Sequence, residues 1–255
     1  MFDETFAHGT TVIHRLDPRV RLLMAVFFSI CVALARQPVT AGVGLAAAAL
    51  LLALSRPALG VLFKRLTVVN IFVLFLWATV PWTMPGDPVF SLGPVDFSRA
   101  GVGLVWLVTL KSNALLLCFL ALVATMDSPA IGHALDRLGM PSKLVFLFLF
   151  TYRYLHVIAD EWQRLRAAAR LRGFTPRTDL HTYRTIGYLF AMVLVNSFDR
   201  ASRVYKAMIL RGFDGRFRSV VRFQAGRADA VFALGSLGVL VGLIYLDCCG
   251  EVLFV

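Results

Sequence analysis

Charged residues are scarce in this sequence. Asp, Glu, Lys and Arg together make up 16% of the 255 residues, whereas hydrophobic residues make up 58%. Soluble domains usually carry about a quarter charged residues, so this chain has too little polar surface to cover a water-soluble globule. Its mean hydropathy of +0.75 points the same way. The composition excludes an ordinary soluble domain and predicts a protein whose solvent is lipid.

The sequence also lacks the clusters that metal, redox or catalytic sites require. Of the four cysteines, Cys31 and Cys118 lie in apolar runs, and the adjacent Cys248 and Cys249 are interpreted as an inert tail. The five histidines form no His-x3-His or His/Cys cluster, although a tight transition-metal site needs several convergent ligands. Phosphate-binding loops, nucleophile elbows and paired carboxylates are missing as well. We therefore expect no catalytic residue, metal site or cofactor in this chain.

Five apolar runs approach the roughly twenty residues that cross about 30 Å of hydrocarbon. They are residues 20–35, 39–54, 66–81, 101–125 and 228–246. The fold class predicted from them is an all-α polytopic membrane protein with about five transmembrane helices. The predicted organisation is an N-terminal transmembrane region at 1–126, a helical cytoplasmic region at 127–222 and a C-terminal transmembrane helix at 223–255.

The basic residues predict how the spans are oriented. Those before the first run and between the second and third are Arg15, Arg19, Arg21, Arg56, Lys64 and Arg65. The loop at 84–99 instead has Asp87 and Asp96 against Arg99. Because Lys and Arg accumulate in cytoplasmic loops, the sequence predicts a bacterial inner-membrane protein with a cytoplasmic N-terminus. In such a protein the net charge of +11 marks inner loops rather than binding to nucleic acid.

The segment after the fourth run is strongly basic. Residues 153–222 contain 14 basic and 5 acidic residues, a local charge of +9. Its apolar stretches, 144–158 and 186–198, either cross the membrane or belong to long tilted helices at the cytoplasmic face. Crossing at 144–158 would place Arg164, Arg166 and Arg170 outside, against the charge rule. The interfacial interpretation is therefore favoured.

This basic segment contains an internal repeat at an offset of 39 residues. The first copy consists of Asp160, Arg164, Ala168, Leu171, Arg172, Gly173 and Phe174; the second consists of Asp199, Arg203, Ala207, Leu210, Arg211, Gly212 and Phe213. Asp, Arg and Ala recur every four residues, so they share one helical face, and each Asp–Arg pair has ion-pair spacing. Glycine just past the last periodic residue predicts a helix C-terminal cap. One copy alone is ordinary capping, but two copies suit a symmetric partner with two equivalent acidic grooves.

Three polar residues interrupt the apolar runs. Lys111 is either functional or, as we favour, snorkels or faces a polar seam of the bundle. Asn70 and Asn113 are predicted to form hydrogen bonds between helices.

The chain resembles the transmembrane T component of energy-coupling-factor (ECF) transporters, particularly the CbiQ type of cobalt and nickel importers. The segment His14-Arg15-Leu16-Asp17-Pro18-Arg19 is similar to that family's entry segment. Tyr152-Arg153-Tyr154 followed by Asp160-Glu161 is similar to the start of its coupling helix. The two Arg-Gly pairs are similar to its paired short motifs, although Leu171 and Leu210 stand where alanine is common.

The resemblance implies a mechanical coupler with no chemistry of its own. Two cytoplasmic ABC-type ATPase subunits would bind ATP, each receiving one coupling-helix end, with Arg172 and Arg211 paired to their carboxylates. A separate substrate-binding membrane subunit would hold the metal. Cobalt or nickel is the expected cargo, and a shared coupler of a vitamin importer is the alternative. A lipid-modifying enzyme, whose basic helices would bind anionic head groups, is a third reading.

Overall fold

The computed structural model describes residue 13 and residues 16–55, 59–85, 88–92, 95–213 and 226–253. Its elements are α1 (Pro18–Leu34), α2 (Pro38–Ser55), α3 (Leu59–Thr83), β1 (Pro88–Leu92), β2 (Val95–Ser98), α4 (Arg99–Leu122), α5 (Ser128–Arg137), α6 (Ser142–Leu171), α7 (Leu180–Leu210) and α8 (Arg227–Leu253). The chain divides into two compact units, Leu135–Arg222 and Glu4–Ala134 with Phe223–Val255. We refer to the second unit as the bundle and to α6 with α7 as the helix pair. Residues His14, Arg15 and Arg56 lie outside the described residues.

Among the described residues, five helices are long and apolar enough to cross a membrane, which makes this a multi-pass helical membrane protein. They are α2, α3 from Leu62, α4, α6 and α8. The number of candidate spans matches the five expected from the sequence, but α6 takes the place of α1 in the set. Helix α1 has 17 residues, about 26 Å of rise, because Pro38 already opens α2. Helix α6 qualifies because its apolar first half continues without a break into the charged second half, giving 30 residues.

Helix α4 runs antiparallel to α1, and a cation from each helix reaches the C-terminal end of the other. Arg21 of α1 is buried, and its guanidinium donates to the carbonyl of Leu122, 2.9 Å away, and to the hydroxyl of Thr125. Lys111 of α4 donates from Nζ to the carbonyl of Ala33, at 2.8 Å. The last carbonyls of a helix lack partners within the helix and carry its negative dipole end. Lys111 therefore lies on a polar seam of the bundle, which is one of the two structural interpretations favoured for it above.

Helix α8 runs parallel to α1, and two of its aspartates bond to backbone N–H groups next to the two ends of α1. The buried Asp229 accepts a hydrogen bond through Oδ1 from the backbone N–H of Asp17, at 2.7 Å. Its other oxygen accepts from the N–H of Gly226, also at 2.7 Å. At the far end, Asp247 accepts from the N–H groups of Arg36 and Gln37 in the α1–α2 turn, at 2.9 and 3.3 Å. These helix directions agree with the predicted topology, in which α1 and α8 cross the same way and α4 crosses back.

Helix α3 packs antiparallel to α4 through a polar seam and one close approach. The side-chain amides of Asn70 and Asn113 bond to each other reciprocally at 3.1 and 3.2 Å, which confirms the predicted hydrogen bonds between helices. Farther along, Gly101 lies so close to Pro81 that a Cβ on the glycine would stand 2.8 Å from the proline Cα. The connection between these helices contains an antiparallel β1–β2 hairpin. From the sequence, only a loop was expected here.

Candidate functional site

The two predicted Arg-Gly sites form the C-terminal ends of α6 and α7 with the same backbone geometry. We call residues 171–174 and 210–213 the two tips. Gly173 and Gly212 have φ of +85° and +78°, in the left-handed region that glycine adopts at no steric cost. In the α6 tip the N–H of Gly173 donates to the carbonyl of Arg170 at 3.0 Å, and that of Phe174 to Ala169 at 3.1 Å. This pair of bonds is the Schellman motif that closes a helix.

The α7 tip repeats that pair of bonds at the positions 39 residues later. The N–H of Gly212 donates to the carbonyl of Ile209 at 2.9 Å, and that of Phe213 donates to Met208 at 3.1 Å. In both tips the arginine is the residue directly after the last helical residue. The repeat found in the sequence is therefore a repeat of structure.

The leucine and the arginine of each tip are exposed, whereas Phe174 and Phe213 are half-buried. The side chains of Leu171 and Leu210 are 91% and 88% exposed, and Arg172 and Arg211 are exposed beside them. A leucine at the last position of a helix normally packs against its own chain or a neighbour. Two exposed leucines at equivalent positions, each followed by an exposed guanidinium, form a surface suited to an apolar groove with an acidic rim.

A third helix end with the same closure lacks the arginine. Helix α5 is followed by Leu138, Gly139 and Met140, and Gly139 has φ of +90°. The N–H of Gly139 donates to the carbonyl of Asp136, and the N–H of Met140 donates to the carbonyl of Leu135. The sequence Asp127-Ser128-Pro129 predicts a helix start and Gly139 predicts its end, and α5 does run from Ser128 to Arg137. Because leucine replaces arginine before this glycine, the closure itself does not require arginine. The arginines of the tips are free to serve another purpose.

The helix pair is antiparallel and crosses at equivalent positions of the repeat. The carboxylate of Glu161 in α6 accepts a hydrogen bond from Nδ2 of Asn196 at 2.9 Å and lies 3.8 Å from the guanidinium of Arg200. Trp162 stacks on Phe190 nearby, with ring centroids 4.5 Å apart. Arg200 lies 39 positions after Glu161, so these two residues are equivalent positions of the repeat. Exchanging the two helices therefore leaves the crossing point in the same place. This is the property of a two-fold axis.

The antiparallel arrangement places the two tips at opposite ends of the pair. Ten residues separate Glu161 from Leu171, and ten separate Arg200 from Leu210. At about 1.5 Å of rise per residue, the tips lie up to about 30 Å apart. Two separate partner surfaces can therefore approach the tips at the same time.

The ion pairs expected within each repeat are not formed. Among the described residues, Asp160 forms no ion pair with Arg164, and Asp199 forms none with Arg203; the described ion pair of this region joins Glu161 to Arg200. All four side chains are exposed, and an exposed pair gains only about 0–1 kcal/mol while it orders two side chains. The contact is instead made across the pair, where partial burial favours it.

Three residues join the two helices: Glu161, Asn196 and Arg200. From the sequence, Glu161 was noted only within the family-like segment, and Asn196 and Arg200 were missed. A signal for two of them was present, because Glu161 and Arg200 occupy the same position of the repeat with opposite charge. Sequence reasoning also missed the contact of Phe146 in α6 with Phe213 in the α7 tip, with ring centroids 5.7 Å apart.

The bundle presents no competing catalytic constellation among its described residues. No group of three or more His, Cys, Asp or Glu in the described part of the chain could hold a metal ion. A cavity of about 290 Å³ between α1, α2, α4 and α8 is lined by apolar residues such as Phe28 and Leu51, with Ser236 as its polar member. The hydroxyl of Ser236 donates to backbone carbonyls of its own helix. This lining offers no activated nucleophile.

Fold and tips together define a class: a multi-pass helical membrane protein that exposes two matching arginine-bearing helix ends. The family model CbiQ, described as "Cobalt transport protein", matches residues 9–221. The chain belongs to this family, whose members are transmembrane T components of energy-coupling-factor transporters.

Curated relatives agree with this assignment over nearly the whole chain. The energy-coupling factor transporter transmembrane protein EcfT of Acidaminococcus fermentans is 25% identical over 251 residues, covering 93% of each chain. The EcfT of Bacillus subtilis is 26% identical over 257 residues, covering 94% of this chain and 95% of that protein. The EcfT of Streptococcus equi subsp. equi is 26% identical over 219 residues, covering 81% of each.

Proposed function

We propose that this protein is the energy-coupling transmembrane subunit of an ECF-type importer, and that each tip seats in one of two cytoplasmic ATPase subunits. The observation that carries the proposal is the pair of identically closed, exposed tips at opposite ends of an antiparallel helix pair. The pseudo-two-fold crossing at Glu161 and Arg200 suits a dimeric partner, since a two-fold dimer presents equivalent surfaces on both sides of its axis.

In this proposal the arginines supply the polar contact and the leucines supply the apolar contact. Arg172 and Arg211 each present a planar guanidinium that can bind a carboxylate through two parallel hydrogen bonds. Leu171 and Leu210 enter the groove beside them and are removed from water. Gly173 and Gly212, with their positive φ, let the chain turn directly after each arginine. Closing the ATPase dimer on ATP would then move the two ends of the helix pair.

The chain itself carries neither ATP nor cargo in this mechanism. ATP is bound by the ATPase subunits, and the transported ion is held by a separate substrate-binding membrane subunit to which the movement is passed. In this proposal the N-terminus and the tips face the cytoplasm, which is supported by the positive charge of residues 153–222 and by the arginines around the start of α1. The bundle anchors the helix pair in the bacterial inner membrane.

The cargo proposed is cobalt or nickel. The description of the matching family as cobalt transport proteins supports a metal. The curated relatives are named for energy coupling without a cargo, which keeps a shared coupler of a vitamin importer as the alternative. Uptake of labelled cobalt, nickel and vitamins by cells with and without the chain distinguishes the two. Loss of vitamin uptake with intact metal uptake would establish the alternative.

Charge reversal at the tips tests the docking. In Arg172→Glu/Arg211→Glu, each guanidinium is replaced by a carboxylate facing carboxylates. Truncating one partner of a desolvated charge pair already costs roughly 2–5 kcal/mol, so we expect loss of the co-purifying ATPase subunits and of transport. The measurement is affinity purification of the complex from membranes, followed by transport in the same cells.

The matched control is Lys64→Glu/Arg99→Glu. It makes the same change in net charge at two exposed residues of the bundle, outside the compact unit that carries the tips. We expect it to keep the ATPase subunits. If the tip variant retains both ATPase and transport while remaining in the membrane, the proposed docking is wrong.

A further inference from the structure

The two tips have the same ends but different flanks. The face of α6 that leads to its tip carries Arg166 and Arg170, one turn apart. Thirty-nine residues later the equivalent positions of α7 hold Tyr205 and Ile209. Two guanidinium groups in one copy are thus replaced by an aromatic and an aliphatic side chain in the other.

On α6 these residues border a shallow, open recess of about 520 Å³. It is lined by Gln163, Arg166, Ala167, Arg170 and Leu171. Positions three and four residues apart lie on one helical face, so the recess extends from the α6 tip back along two turns. Both arginines are exposed, and both can reach a partner that has docked on Leu171.

On α7 the corresponding face is largely apolar. Tyr205 is 60% exposed and Ile209 is 51% exposed, in line with the exposed Leu210. The one cation of this face is Lys206, in the place of Ala167. An ammonium is a compact, strongly hydrated charge, whereas guanidinium groups bind planar carboxylates in a fixed geometry. The α7 flank therefore offers area for apolar burial rather than a pair of carboxylate-binding groups.

We propose that the two tips dock into grooves of different lining. Each groove holds a carboxylate for the tip arginine, but the groove for the α6 tip carries additional carboxylates that face Arg166 and Arg170, whereas the groove for the α7 tip is otherwise apolar. The proposal rests on the proposed function and specifies it, since it assigns a more acidic partner surface to one tip and a more apolar one to the other. Arg166 and Arg170, with Tyr205 and Ile209, are the residues that distinguish the two sites.

Ionic strength separates the two docking sites, because salt screens exposed charge pairs but not apolar contact. A photoreactive amino acid is placed at Leu171 or at Leu210 in the full chain, co-expressed with its ATPase subunits in membranes. Salt is raised from about 0.1 M to about 1 M, which shortens the Debye length from about 10 Å to about 3 Å. We expect cross-linking to ATPase at position 171 to fall at least about threefold, because two exposed pairs are screened in addition to that of Arg172. Cross-linking at position 210 should fall less, because only the pair made by Arg211 is screened there and the apolar contact of Tyr205 and Ile209 is not.

Exchanging the flanks should exchange the salt responses. Arg166→Tyr/Arg170→Ile should reduce the salt dependence of cross-linking at 171 to that of position 210, since only the pair made by Arg172 remains. Tyr205→Arg/Ile209→Arg should lower cross-linking at 210 even at low salt, because a desolvated charge without a partner disfavours binding to an apolar lining. The matched control is Gln163→Ser, which copies the α7 residue Ser202 into the same recess without changing charge. It should leave both responses unaltered.

Equal salt dependence at the two tips, or flank exchanges that alter neither response, would overturn this inference. That result leaves the proposed function intact, because ATPase still cross-links to both positions. Failure of the proposed function looks different: neither position then cross-links to an ATPase subunit at any salt concentration.

Discussion

The bundle and the helix pair use polar residues in opposite ways. In the bundle, charged groups such as Arg21 and Asp229 are buried, and each bonds to backbone at the end of a neighbouring helix. In the helix pair, Val145 is the buried residue of α6 and Thr182 that of α7, although these helices have 30 and 31 residues. The bundle fixes its own structure through internal contacts. The helix pair displays its residues and relies on few contacts of its own.

This difference agrees with a static anchor and a moving element. Buried, bonded polar groups specify one arrangement of helices, because any other leaves them unsatisfied. A pair of helices with few buried contacts has a low cost of local displacement. The exposed apolar residues of α7, such as Phe198 and Leu194, are 72% and 73% exposed. They are surfaces that lipid or a partner must cover.

The largest effect should come from Arg21, since the comparison requires the bundle to depend on its buried charges. In Arg21→Met the apolar stem is kept, but the carbonyl of Leu122 and the hydroxyl of Thr125 lose their donor. We expect the bundle to lose about 2–3 kcal/mol, the usual value of a hydrogen bond to a charged group. Thermal unfolding of the purified chain in detergent measures this.

The control for Arg21 is Lys64→Met, which removes a cation from an exposed position of α3. It should leave the unfolding temperature nearly unchanged. Equal melting of both variants and the parent would show that the bundle does not depend on Arg21, and the contrast between the two regions would fail.

A somewhat smaller effect is expected from filling the close approach of α3 and α4. In Gly101→Ala the added Cβ meets the backbone of Pro81 at 2.8 Å, so one helix must shift; overpacking of this kind typically costs about 1–3 kcal/mol. Gly103→Ala, two residues further along α4, has nothing within 4 Å of its added Cβ. There alanine should stabilise the helix by up to about 1 kcal/mol. Opposite shifts in unfolding temperature for the two variants are the expected result, and shifts of the same sign would contradict it.

The sequence predicted what depends on local pattern. Asp127-Ser128-Pro129 and Gly139 bounded α5 correctly, because capping and the left-handed conformation of glycine are properties of a few adjacent residues. The two tips followed from the same chemistry repeated at a fixed offset. Asn70 and Asn113 were correctly expected to form hydrogen bonds between helices, because an amide in lipid needs a polar partner; the sequence did not indicate that they bond to each other.

What the sequence could not supply depends on distance in space. Arg21 looked like a flanking charge of the first run, and only the packing of α1 on α4 shows that it closes another helix. The bounds of α1 were displaced by one or two residues, because the apolar run covers 20–35 while the helix runs from Pro18 to Leu34. The ion pairs expected at Asp160 and Asp199 rested on residue spacing alone. Spacing does not show that these side chains are exposed to solvent, where an ion pair gains too little free energy to order both side chains.

The smallest effect, and the sharpest test of the contrast, concerns the ion pair between α6 and α7. Glu161→Ala removes the acceptor for Asn196 and the partner of Arg200. Since the side chains of Glu161 and Arg200 remain 21% and 39% exposed, we expect a loss of at most about 1 kcal/mol. Hydrogen exchange of the α6 and α7 backbone amides should report faster local opening, while the amides of α4 stay as protected as in the parent.

The repeat provides the control for this pair, because its two residues occupy equivalent positions with opposite charge. The exchanged variant Glu161→Arg/Arg200→Glu places each residue where its counterpart stood and keeps the pair. We expect the hydrogen-exchange protection of α6 and α7 to return most of the way to the parent level. The single variant Arg200→Glu should be less protected than both the parent and the exchanged variant. If the exchanged variant opens as readily as the single variants, then charge pairing does not hold the crossing. The stacking of Trp162 on Phe190 would then be the contact that keeps α6 on α7.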